Sequence, residues 1–209
     1  MLIALILGSL FSISGSTQTN TEVTDWDEIL NAAQTYFTSP TSKNAHKFYA
    51  VLPTKTRNWE ETFKGDFEKA RSLIWDNLDV LNKQVLKADR NAVKIAIWLF
   101  NIMDGIYSEW LVSMLGDLIR VDPKMFLEEI EVKFASLNSG YILCNGDILD
   151  GESTASNDAK RKELELRITA LETVKDVNLA GFRDECIAII RKHINEYFRH
   201  SGDDILILP

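Results

Sequence analysis

The chain has 209 residues, of which 45% are hydrophobic and 26% charged, with 10 Gly and 4 Pro. That balance fits one globular unit, or at most two small ones, and it excludes wholesale disorder and a disulfide-dense miniprotein. The 23 Lys and Arg against 31 Asp and Glu leave a formal charge of -8, which speaks against nucleic-acid binding by phosphate neutralisation and against attachment to an anionic membrane surface.

Residues 1–16 carry no charged side chain and contain a short apolar run, Leu2 to Leu7 with Leu10, Phe11 and Ile13, ending in the small residues Ser12, Ser14, Gly15 and Ser16. An apolar stretch followed by a small-x-small site is the order of parts in a secretory signal peptide. The run is shorter than the roughly 17–25 residues that a membrane span needs. No Lys or Arg precedes it, and the competing reading is an apolar first strand or helix held in the core. The expectation is that residues 1–16 are removed and that the mature chain begins near Thr17. It would then be exported to the periplasm or the exterior, without a stable membrane span. No Asn-x-Ser/Thr sequon occurs, which favours a bacterial exported protein over a glycosylated eukaryotic one.

After residue 23 the apolar residues recur every three to four positions, and period-two alternation is absent. The expected fold is therefore all-α, with about eight helices over 25–38, 41–51, 58–87, 89–103, 106–120, 122–137, 158–176 and 179–199. Asp25-Trp26-Asp27-Glu28 and Asn58-Trp59-Glu60-Glu61 both read as a capping side chain, a Trp and acidic residues suited to the positive end of a helix. Asp89, Asp122 and Asn157 are further candidate caps, and Pro123 stands at the favoured first helical position. These starts lie roughly 31 to 35 residues apart, a spacing at which helix pairs stack. Two architectures stay open: an irregular α-solenoid of the HEAT or armadillo kind, resembling those families in rhythm alone, and a compact helical bundle.

Between Val93 and Met103 the chain is almost continuously apolar, which requires a helix surrounded by others. Ile106, Trp110, Leu111, Met114, Leu115 and Leu118 supply a neighbouring face. Periodicity fails around 141–158, a stretch rich in Gly, Ser and Asp, and this reads as a loop. It separates a main helical domain, 17–140, from a two-helix unit, 159–209, packed on it.

Candidate chemistry is sparse. Cys144 and Cys186 would suit either a disulfide in an oxidising compartment or two buried thiols. His193, Glu196 and His200 could share one helix face and give two zinc ligands, but solvated side chains near a helix end are the far more economical reading. Asp147, Asp150 and Glu152 offer oxygens for calcium without matching its usual loop order. Asp104, Glu109 and Asp117 interrupt the apolar centre and could line a pocket with carboxylates near Asp104 and Glu109. Trp26, Tyr36 and Trp59 are candidate binding anchors, because aromatics dominate interface energetics. No cofactor is implied. The first functional expectation is an exported, non-enzymatic helical protein that presents a surface to a protein or another extracellular ligand. The alternative is a small helical hydrolase or ligand-binding domain using the Asp104/Glu109 pocket.

Overall fold

The computed structural model describes residues 25–53, 67–103, 105–134, 139–146 and 156–197. The stretch read as a signal peptide, Trp59, Asp104, His200 and the calcium candidates Asp147, Asp150 and Glu152 lie outside those residues. Within them the chain is all-α, with ten helices: α1 (Trp26–Thr38), α2 (Ser42–Val51), α3 (Phe67–Trp75), α4 (Leu78–Val85), α5 (Arg90–Phe100), α6 (Gly105–Val121), α7 (Pro123–Phe134), α8 (Ser139–Asn145), α9 (Asn157–Glu172) and α10 (Ala180–Tyr197).

Side-chain caps set five of the ten described starts. Asp25 accepts from the Glu28 amide at 3.0 Å, Asp122 from the Met125 amide at 2.9 Å, and Asp89 from the amides of Asn91 and Ala92. Each cap satisfies donors that the first turn leaves open, worth about 1 kcal/mol per cap. At α9 the cap is Ser156, which accepts from the Ala159 amide, and Asn157 is the first helical residue.

Two expectations about elements change. The stretch read as one helix over 58–87 is broken at Asp76-Asn77 into α3 and α4. Neither Gly nor Pro marks the break. Instead Asn77 turns its side chain back to donate to the Leu73 carbonyl, and Ser72 donates to Asp76, so local polar groups compete for the backbone. The expected loop from 141 likewise begins too early: residues 141–145 belong to α8, with Leu143 and Cys144 fully buried.

Helix α5 is the centre, as its all-round apolar sequence requires. Ala92, Val93, Ile95, Ala96, Ile97, Trp98 and Leu99 are all buried, and α5 packs against α2, α4, α6 and α7. At about 1.5–3 kcal/mol per buried large aliphatic side chain, it supplies far more of the core than α9, whose buried residues are Leu164, Arg167 and Leu171. The Trp98 indole N–H donates to the Pro53 carbonyl at 3.0 Å, fixing the end of α2 on α5. Helix α6 touches α4, α5, α7, α8 and α9. In a solenoid each helix pair meets only its neighbours; this network corresponds to the bundle alternative. The last two helices pack on each other and on α7, with α9 also against α6 and α10 against α8.

Candidate functional site

Helix α6 turns Leu111, Met114, Leu115, Leu118 and Ile119 inward. Its first turns present the opposite face, and there the pattern is unusual. Ile106 is 55% exposed and Trp110 52% exposed, one turn apart on the same side. Tyr107, half-buried beside them, stacks on Trp75 at the end of α3, with ring centroids 3.6 Å apart. The Arg71 guanidinium lies over the other part of this assembly, 4.9 Å from the Trp75 ring centroid. The result is a rigid aromatic shelf with a large apolar pair standing free beside it. Two exposed carboxylates neighbour it in the chain, Asp76 and Glu109. Neither pairs with a cation among the described residues.

The sequence-derived anchors fare differently. Tyr36 is completely buried, packed with Phe37 and Phe48, and burial, with a further contribution from Asp89, raises its phenol well above the ordinary value. It is a core residue and cannot anchor a partner. Trp26 is partly buried against the core. Trp110, which sequence reasoning assigned to the core-facing side of its helix, is the exposed one.

The carboxylates proposed for a pocket do not converge among the described residues. Glu109 is exposed on α6, while Asp117 lies two turns further along and is engaged elsewhere. It accepts from Arg167, whose side chain is 2% exposed. Arg167 sits in the middle of the buried stripe of α9, at the position between Leu164 and Leu171 where an aliphatic side chain would be expected. Its guanidinium donates through Nη1 to the Asn145 carbonyl at 2.7 Å, through Nη2 to Asp117 Oδ1 at 3.0 Å, and through Nε to Glu163 Oε1 at 3.4 Å.

Two glycines make room for it. A Cβ on Gly116 would lie 2.6 Å from Arg167 Nη1, and one on Gly146 would lie 2.2 Å from the same atom. Gly146 also has φ +62°, ending α8 in the left-handed region. Burial pulls the Arg167 guanidinium down from its ordinary pKa, while Asp117 and Glu163 oppose that shift. Burial pushes the Asp117 carboxyl up, with Arg167 holding it back. The arrangement is a buried charge in which each of the three guanidinium nitrogens donates one hydrogen bond.

Cys144 of α8 and Cys186 of α10 are joined in a disulfide, Cα to Cα 5.4 Å, and both are fully buried. Its neighbour in the chain is Asn145, the carbonyl partner of Arg167, so α8 is fastened from α9 and α10 at adjacent residues. His193 is buried on α10, and burial lowers its pKa against the pull of Glu196. Glu196 is exposed, and among the described residues no three of His, Cys, Asp and Glu group as a metal site.

Near the C-terminal pair an open cleft of about 410 Å³ is lined mainly by charged groups of α10 and the end of α9. These are satisfied internally: Arg191 with Glu172, Arg183 with Asp184 and the Val174 carbonyl, and Lys175 with the Glu172 carbonyl. No described helix is long and apolar enough to cross a membrane. Comparison with protein-family models, with curated proteins and with solved structures finds no match to this chain.

Proposed function

We propose that this is an exported, non-enzymatic bacterial protein that presents the first turns of α6 to a protein partner. The observation that carries the reading is the half-exposed pair Ile106 and Trp110 beside the Trp75–Tyr107 stack. Exposing a Trp and an Ile together on a rigid face costs solvation and gains nothing inside the fold, whereas aromatic residues on preorganised elements are the usual anchors of protein interfaces. The Cys144–Cys186 bridge is compatible with an oxidising compartment. Asp76 and Glu109, together with the charge of -8, favour a partner whose contact surface is apolar with a basic rim.

Photo-crosslinking from position 110 in living cells of the source organism tests this. A discrete adduct is expected, competed by unlabelled protein and weakened by Glu109→Lys with Asp76→Lys. The corresponding Lys94 position, on the buried central helix, should give none. Equal labelling from both positions, or an adduct indifferent to the charge reversals, would overturn the reading. Trp110→Ala should leave thermal stability nearly unchanged, because the side chain is half in solvent.

A further inference from the structure

We infer that the Cys144–Cys186 bridge is a redox latch: its reduction by a dithiol frees α8 and releases the Arg167 side chain from its slot, and reoxidation restores both. The bridge joins α8 to α10, and both cysteines are fully buried. At the next residue the Asn145 carbonyl accepts from Arg167 Nη1 at 2.7 Å. One residue on, the Gly146 Cα lies so close to α6 that a Cβ on Gly116 would come within 2.9 Å of it. Three successive residues at the end of α8 thus carry the covalent tie, the charge-assisted tie and the backbone approach that shuts the slot.

Little else holds α8 in place. Leu143, Cys144 and Asn145 are buried, whereas Ile142 is 49% exposed. One buried leucine and one charge-assisted hydrogen bond contribute less than the conformational entropy that residues 139–146 lose on ordering. The bridge decides the balance, because it keeps those residues beside α10 in every state of the chain that retains it.

Arg167 adds a driving force for opening. Its guanidinium is buried at a cost in hydration, which pulls its pKa down. When α8 leaves, the Asn145 acceptor goes and the side of the slot closed by Gly146 opens to water. Asp117 and Glu163, on α6 and α9, stay within reach of the side chain. The arginine therefore rehydrates without giving up its carboxylates, and the surfaces of α6, α7 and α10 that α8 covers are exposed. The slot lies in the second half of α6, beyond Ile106 and Trp110, and does not depend on the partner proposed for them.

In the exchange, one thiolate of the dithiol attacks a bridge sulfur and forms a mixed disulfide, while the other cysteine leaves as a thiolate. The second thiol of the reductant then displaces the remaining cysteine. The dithiol ends as a cyclic disulfide, having passed two electrons to the bridge and two protons to Cys144 and Cys186. Both sulfurs are enclosed, so attack needs α8 to swing aside first, and the Arg167 bond to Asn145 resists that movement. Arg167 guards the bridge, and by linkage each stabilises the other by the same factor.

Dithiothreitol, applied to the isotope-labelled full chain without denaturant, is the test, with thiols trapped and counted by mass and exchange followed by NMR. Reduction is expected to speed exchange at the Arg167 Nε–H and at the amides of 139–146 by about tenfold more than at the amides of α5. Oxidised glutathione, which takes the two electrons back, should restore the native spectrum. Arg167→Met should be reduced about tenfold faster than the native protein, since its bridge is unguarded. Leu81→Ala removes a fully buried side chain from α4, which packs on α5 and α6, and should be reduced at close to the native rate despite its lost stability. An unaltered Arg167 Nε–H after reduction, equal acceleration in α5, equal reduction rates for Arg167→Met and Leu81→Ala, or failure of oxidised glutathione to restore the spectrum would each overturn the latch.

Discussion

The guanidinium of Arg167 fills the space that side chains at positions 116 and 146 would otherwise occupy, so these three positions constrain one another. Truncation by Arg167→Ala removes the bond to the Asn145 carbonyl and opens a cavity, and should cost about 2–4 kcal/mol. Arg167→Lys should recover little, because one ammonium cannot reach three acceptors spread around a planar fork. Gly146→Ala pays twice in the native protein, once for its positive φ and once for the collision with Nη1. In an Arg167→Ala background only the backbone cost of about 1–2 kcal/mol remains. Urea unfolding of the four variants should therefore show a coupling above about 1 kcal/mol, and additive costs would contradict the fit. Asp117 adds a pH signature. Its folded pKa is raised, chiefly by burial, so the stability it contributes is present below the ordinary carboxylate range and is lost as pH rises through the raised value. Relative to Asp117→Asn, the native protein should lose stability between acid and neutral pH. His193 works in the opposite sense: its lowered pKa gives stability above the ordinary histidine value that is lost as pH falls through the folded one.

Helix α8 shows how much an element can depend on contacts made by others. Seven residues cannot hold a helix in water, and α8 persists because the disulfide and Arg167 grip it at Cys144 and Asn145. Replacing both cysteines by Ala should cost about 2–4 kcal/mol. Amide exchange should then quicken first in residues 139–146, well before α5; uniform acceleration across the chain would show that α8 is not a separate unit. The same dependence explains what the sequence could and could not reveal. Helices α5 and α6 were readable because their apolar residues alone require burial. Helix α8, with Ser139 and Gly140 in its first turn, has no period to read, and the break at Asp76-Asn77 lacks the Gly or Pro that would announce it. Arg167 was missed because α9 is mostly polar and an Arg in it reads as solvent-facing. A signal did exist: Gly116 in the interior of a strongly apolar helix costs about 1 kcal/mol relative to Ala, which marks a close approach by something else. Trp110 was misplaced because apolar spacing gives a stripe without saying where the stripe stops being covered.

For the molecule as a whole, one continuous buried cluster runs from Ile29 on α1 to Ile190 on α10, so the C-terminal helices are built into the same core as the rest. Removing an uncharged leader would leave the charge of -8 on a smaller surface. Mass spectrometry of the protein recovered from outside the cytoplasm should find a chain beginning near Thr17; an intact Met1 would refute export by cleavage. The Arg167 plug carries a consequence for ancestry. A substitution at either glycine meets the guanidinium and also a backbone cost, from the Gly146 Cα at Gly116 and from the positive φ at Gly146, so the two glycines and Arg167 should be retained together. Add Cys144 and Cys186 at their fixed positions around it, and a sparse five-point signature results. Such a signature should remain recognisable in diverged descendants after the helices around it have exchanged most of their surface.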